Sequence, residues 1–148
     1  MSDHFDAIVI GAGPAGEVAT SRLARQRLKT ALVERELVGG ECAYWACIPS
    51  KTLLRPPETQ AEARRTPGLE APEANWREIV SYRDYMVRNL DDAGAIEAYE
   101  DAGVTVIKGL ARIQSPGAVE VDGRHLETDR IVIATGSEPV IPLVSPGG

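Results

Sequence analysis

The segment Gly11-Ala12-Gly13-Pro14-Ala15-Gly16 constrains this chain more than any other. Its G-x-G-x-x-G spacing follows a β-branched apolar run, Phe5-Asp6-Ala7-Ile8-Val9-Ile10. It opens a stretch from Pro14 to about Gln26 in which Val18, Leu23 and several alanines recur at helical spacing. A second apolar run, Thr30-Ala31-Leu32-Val33-Glu34, comes next. Strand, helix and strand within about 30 residues predict a βαβ unit, a parallel pair joined by a right-handed crossover. In such a unit the three glycines have separate tasks. Gly11 permits the tight turn, Gly13 leaves room for a pyrophosphate at the backbone, and Gly16 lets helix and strand pack closely. The helix start presents free N–H groups and a positive dipole end to the same anion. Glu34 closes the second strand 18 residues past Gly16, where a carboxylate accepts from ribose hydroxyls and repels a 2′-phosphate. The plainer alternative is a glycine turn with no ligand.

Downstream, Gly39-Gly40 breaks the chain. A helical stretch follows the cysteines, with Pro49 in an early turn, and continues past Leu54 until Pro56-Pro57 limits or kinks it. Thr66 to Pro72 reads as loop. Asn75 has the position of an N-cap, with Glu78 at capping-box spacing. Trp76, Ile79, Val80, Met86, Val87 and Leu90 predict a helix running to about Ala102 and stopping at Gly103. Val104–Ile107 reads as a strand. Arg112–Ile113, Ala118–Val121 and the turn Asp122-Gly123 predict a hairpin or small meander. Arg130–Ala134 is a final buried strand, and the tail Pro142–Gly148 carries no structure of its own. The predicted fold is α/β: a central, mainly parallel sheet, helices on one face, and a small antiparallel β unit at residues 110–126. At 148 residues the chain reads as one domain.

Sixteen Lys+Arg against twenty-two Asp+Glu give a formal net charge of −6, without the basic excess of a nucleic-acid module. The longest apolar runs, Ala7–Ile10 and Ile131–Ala134, are too short to span a bilayer. The start, Met-Ser-Asp-His-Phe-Asp, lacks a basic region and apolar stretch, so a cytoplasmic location is expected. Only two cysteines are present, Cys42 and Cys47, fewer than a disulfide-stabilised secreted domain carries. The histidines, His4 and His125, are remote from them, so no metal site is expected. Two inert thiols or a redox pair remain. In a regular helix, residues five apart have Cα atoms roughly 8.7 Å apart. A disulfide needs about 4.4–6.8 Å. A Cys42–Cys47 bridge therefore requires irregular backbone between them. The double glycine permits that, and a helix start beyond it would favour a thiolate.

Gly39-Gly40-Glu41-Cys42-Ala43-Tyr44-Trp45-Ala46-Cys47-Ile48-Pro49-Ser50-Lys51, placed after a dinucleotide fold, resembles the redox site of the pyridine nucleotide–disulfide oxidoreductases. Dihydrolipoyl dehydrogenase, mercuric reductase and glutathione reductase are members of that family. Ala134-Thr135-Gly136-Ser137, after the strand begun by Thr128-Asp129-Arg130, resembles its second flavin-side motif. The resemblance runs over essentially the whole chain but matches only the N-terminal third of such an enzyme. It implies a Rossmann-like FAD/NAD(P)-binding fold, with residues 1–148 as the N-terminal, FAD-binding segment of a longer enzyme and residues 39–55 as its redox-active disulfide segment.

The resemblance further implies that Gly11, Gly13, Pro14, Ala15, Gly16, Glu34, Arg35, Gly40, Glu41, Cys42, Cys47, Lys51, Ala134, Thr135 and Gly136 surround FAD. Cys47 would face the flavin in a charge-transfer contact, Cys42 would exchange with substrate, and Lys51 would stabilise negative charge on the reduced ring. Electrons would pass between NAD(P)H, FAD and the Cys42/Cys47 disulfide and on to a small-molecule disulfide or related acceptor. A second nucleotide motif, a later Gly-Asp motif and a C-terminal homodimerisation domain with its His–Glu pair have no match, so the chain by itself is expected to be inactive. Glu41 stands where the family often carries Thr, and if close to Cys42 and unpaired it should oppose thiolate formation there. Tyr44 and Trp45 replace small residues. Core filling is the favoured reading for both, and shaping of the substrate side is the alternative. Two other readings compete with the redox enzyme: a non-catalytic FAD or dinucleotide-binding module with incidental cysteines, and a flavoprotein monooxygenase or oxidase fragment sharing only the first motif. No nucleic acid, membrane or metal enters any of them.

Overall fold

The structure is a computed structural model and describes residues 3–138 and 140; the tail from 142 to 148 lies outside the described residues. Its strands are β1 (Asp3–Phe5), β2 (Ala7–Ile10), β3 (Thr30–Glu34), β4 (Thr105–Lys108), β5 (Ala111–Ser115), β6 (Ala118–Val121), β7 (Arg124–Thr128) and β8 (Ile131–Ile133). Its helices are α1 (Pro14–Arg25), α2 (Gly40–Tyr44), α3 (Cys47–Arg65), α4 (Trp76–Met86) and α5 (Ala93–Asp101). Among the described residues no helix is long and apolar enough to cross a membrane.

Four parallel strands form one sheet in the order β4-β3-β2-β8. Successive side chains of a strand face opposite sides, so each apolar run feeds two cores. On one side Val9 and Leu32, in register with each other, join Val38 and Val104 under Ala19 and Leu23 of α1 and Ala95, Ile96 and Tyr99 of α5. On the other, Ile8, Ile10, Ala31, Val33 and Ile107 meet Val119, Val121 and Leu126 of a second sheet. That sheet runs β1-β7-β6-β5: an antiparallel meander of β5 to β7, extended by β1 lying parallel to β7. Ile8, Leu32 and Leu126 are almost fully removed from water. Each such side chain stabilises the fold by about 1.5–3 kcal/mol. The α/β class, the helices on one face and the antiparallel unit follow the sequence reading. Asp122 and Gly123 both take positive φ, 47° and 87°, as a tight hairpin turn between β6 and β7 demands.

Three expectations are corrected. The run from Phe5 to Ile10 is two strands, because the chain changes sheets at Asp6, whose carboxylate accepts from the Lys29 amide at 2.7 Å. Pro56 and Pro57 do not limit the helix after the cysteines: α3 continues through both to Arg65 and packs along α4. An interior proline costs about 3 kcal/mol, and tertiary packing outweighs it here as it routinely outweighs propensity. The helix expected from Trp76 to Ala102 is broken. Asn75 caps α4 as read, accepting from the Arg77 and Glu78 amides, but α4 ends at Met86. Arg88, Asn89 and Leu90 then take left-handed φ of 53°, 51° and 62° before α5 begins. The Asp91 carboxylate accepts from the Ala93 amide at 2.9 Å and restarts the helix, which Gly103 stops as expected, with φ of 80°.

Candidate nucleotide and thiol site

The glycine turn leaves β2 at the carboxyl edge of the parallel sheet, where α/β folds place ligands. Gly11 donates its amide to the Val33 carbonyl, and Ala134 donates to the Ile10 carbonyl, both at 2.8 Å. These bonds draw the ends of β2, β3 and β8 together. Gly16 packs against the Gly11 carbonyl so closely that any side chain there would collide with it. Gly13 is different: a Cβ built on it meets nothing within 4 Å, so the first turn of α1 is open to a ligand. Glu34 accepts from the Ala12 amide at 2.7 Å with one carboxylate oxygen and from the Glu36 amide at 2.8 Å with the other. Each oxygen keeps a free lone pair.

The double glycine is docked on this turn. Gly39 donates its amide to the Ala12 carbonyl at 2.9 Å. Gly40 has φ of 63°, and a Cβ on it would stand 2.6 Å from the Gly13 Cα. Two backbones therefore touch where only glycines fit. From this contact α2 carries Cys42, and α3 starts at Cys47. Between them Trp45 and Ala46 leave helical geometry, Ala46 at φ −119° and ψ −88°, which supplies the irregular backbone the spacing required.

Both cysteines are free, half-buried thiols. The Cys47 sulfur pushes the Cys42 thiol above its ordinary range; desolvation and the Glu17 carboxylate push the same way, while the Lys51 ammonium pulls it down. Glu17 of α1, distant in sequence, thus adds a small push on Cys42 that the sequence reading did not foresee. Glu17 is itself held above the usual carboxylate range by desolvation, partly countered by Arg88.

A cleft of about 620 Å³ opens over the turn. It is lined by Gly11, Gly13, Pro14, Ala15, Glu34, Arg35, Gly40, Glu41, Ala134, Thr135 and Gly136, all anticipated from sequence. Gly16 is buried beneath it, while Cys42, Cys47 and Lys51 stand outside its lining, beyond Gly40 and Glu41. Ser137, the end of the second flavin-side motif, lines it too, and so do Glu138 and Gly109, Leu110 and Ala111 after β4, which were not anticipated. For Gly109–Ala111 the local signal was a glycine just past a predicted strand. Trp45 also lines the cleft and is 48% exposed, so core filling is corrected for it. Tyr44, at 3%, is core, with its hydroxyl donating toward the carbonyls of Val38 and Asp91 at 3.3 and 3.4 Å.

Fold and site together define an α/β protein with a thiol pair docked beside a cleft over its glycine turn. The sequence matches the family described as pyridine nucleotide-disulphide oxidoreductase over residues 5–148, and the chain belongs to it. The family binds FAD and uses NAD(P)H. The chain is 36% identical over 147 residues to a dihydrolipoyl dehydrogenase of Acholeplasma laidlawii, covering 96% of this chain and 44% of that protein. It is 32% identical to a mercuric reductase of Lysinibacillus sphaericus, covering 97% and 27%, and 34% identical to a glutathione reductase of a Nostoc species, covering 96% and 32%. The chain thus spans less than half the length of these relatives. The HOCl-induced flavoprotein disulfide reductase RclA from Escherichia coli, solved as a Cu(II) complex, shares the fold: TM-score 0.73 at 24% identity, over 93% of this chain and 29% of that one.

Proposed function

We propose that this chain is the FAD-binding, disulfide-bearing segment of an NAD(P)H-dependent disulfide oxidoreductase. The observation that carries this reading is the docking of Gly39 and Gly40 on Ala12 and Gly13, which ties the thiol pair to the nucleotide cleft by backbone contact. FAD fits the residues present. The open face at Gly13 and the start of α1 suit its pyrophosphate, and the spare lone pairs of Glu34 suit its ribose. Arg35, Glu41 and the Ala134–Gly136 segment complete the walls. When bound, FAD would supply the two-electron connection between NAD(P)H and the cysteines.

The chain's own chemistry is thiol–disulfide exchange. The Cys42 thiol, having lost its proton, attacks one sulfur of a small disulfide RSSR, forms a Cys42–SR bond and expels RS⁻. The Cys47 thiolate then attacks the Cys42 sulfur, closes the Cys42–Cys47 disulfide and expels the second RS⁻. The acceptor gains two electrons and the cysteine pair loses them. Lys51, whose charge favours the Cys42 thiolate, assists the first step. Homodimeric assembly, a cytoplasmic location and a role in cell redox homeostasis belong to the same proposal.

The test is the visible spectrum of the purified chain mixed with FAD, before and after anaerobic dithiothreitol. A bound-flavin spectrum that gains a long-wavelength band on reduction is the expected result. Bound flavin with no such band, and two free thiols after air oxidation, would reduce the protein to a nucleotide-binding module. In the full-length enzyme, Cys42→Ser should abolish turnover with FAD retained.

A further inference from the structure

Asp92 stands at the N-cap position of α5, yet its carboxylate does not cap that helix; Asp91 supplies the bond to the Ala93 amide instead. The Asp92 Oδ2 atom reaches a loop 54 residues earlier in the chain and accepts from the Val38 amide at 2.8 Å. Lys108, at the end of β4, donates to the same oxygen at 2.6 Å and also to the Glu36 carbonyl. Val38 directly precedes Gly39, whose amide grips Ala12. The Tyr44 hydroxyl, from the helix that carries Cys42, reaches the carbonyls of Val38 and Asp91. The left-handed turn at Arg88–Leu90 makes this arrangement, since it breaks the helix and throws Asp91 and Asp92 back against the loop. Asp92 is 14% exposed. Burial raises its pKa, but the bonds from Lys108 and Val38 outweigh that and leave the carboxyl ionised below the usual range.

We propose that Asp92 is a positioning residue for the cysteine pair: by holding the Val38 amide it fixes the path of residues 36–40 and so the distance of Cys42 from Cys47. This rests on the reading of the pair as a reversible disulfide. Nothing about Asp92 touches the thiols, so its effect passes through the loop. Closing a disulfide requires its sulfurs within a narrow geometry. A loosened loop disfavours it.

The full chain is equilibrated in glutathione buffers, where oxidised glutathione takes two electrons and two protons from the two thiols to give the protein disulfide and two reduced glutathiones. Acid quenching, alkylation and mass spectrometry give the disulfide fraction. Asp92→Ala should require a buffer about tenfold more oxidising, the effect of losing one hydrogen bond to a charged group. Asp92→Asn, which keeps an oxygen for Val38 but loses the charge facing Lys108, should fall between it and the wild type. Asp91→Ala, which removes the α5 cap alone, should lower the melting temperature and leave the midpoint unmoved. A folded Asp92→Ala protein with the wild-type midpoint overturns the proposal. Should that variant not fold by circular dichroism, a wild-type midpoint in Asp92→Asn overturns it. If the wild type forms no disulfide in any buffer, the redox reading itself fails. The positioning role is then read from the ratio of Cys42 to Cys47 alkylation by iodoacetamide in the reduced proteins, which Asp92→Ala should change and which, unchanged, overturns it.

Discussion

Gly13 and Gly40 touch each other, but a methyl group has opposite consequences at the two. Gly13 has φ of −74°, and its Cβ would meet nothing within 4 Å. Gly13→Ala should therefore keep the wild-type stability within about 0.5 kcal/mol. FAD affinity should fall by about tenfold or more, because the methyl takes the space a pyrophosphate needs. Gly40→Ala combines a left-handed φ with a 2.6 Å clash and should cost about 1–3 kcal/mol of stability. Thermal melts and flavin-fluorescence titration separate the two effects. Unimpaired FAD binding by Gly13→Ala would remove the nucleotide from this cleft. The Cys42 thiol offers a second check. Its raised pKa means less reactive thiolate at neutral pH, so its alkylation rate should keep rising past the ordinary thiol titration range. Glu17→Gln should move that profile to lower pH and Lys51→Met to higher. A profile centred at or below the ordinary range would contradict the upward push on this thiol. Sequence showed the glycines and cysteines plainly, because their chemistry lies in fixed short spacings. It did not show Glu17 near Cys42, because Glu17 reaches it only through the fold.

Elements were legible where their signals are local. The α4 cap at Asn75 is one: Asn75→Ala should cost about 1 kcal/mol. In a domain of this size that lowers the melting temperature by about 2–4 °C by calorimetry. The Asp122-Gly123 hairpin is another. The break between α4 and α5 was hidden because Val87 and Leu90 keep the helical spacing on which the prediction relied, while the reversal lies in backbone angles of Arg88, Asn89 and Leu90, of which only Asn89 is a residue type that readily turns left-handed. Tyr44 and Trp45 were indistinguishable as neighbouring aromatics. The end of α2 separates them, one into the core and one onto the cleft wall. Gly109–Ala111 were missed for a related reason: their place in the cleft follows from strand order, with β4 laid beside β3, and strand order is not written in any one segment.

At the scale of the molecule, the parallel sheet carries helices α1 and α5 on one face and the meander on the other, so its ligand edge is walled by both layers. The cleft gathers residues from the ends of β2, β3, β4 and β8. The first and last of these are neighbours in space, Ile8 beside Ile131, and far apart in the chain. On a ribosome adding 5–20 residues per second, β8 is synthesised roughly 6–25 s after β2. Through that interval β2 has only β3, and later β4 behind it, as sheet partners. The wall formed by Ala134 to Glu138 does not yet exist. The nascent chain therefore displays its glycine turn and both cysteines well before β8 and the wall that follows it close the cleft.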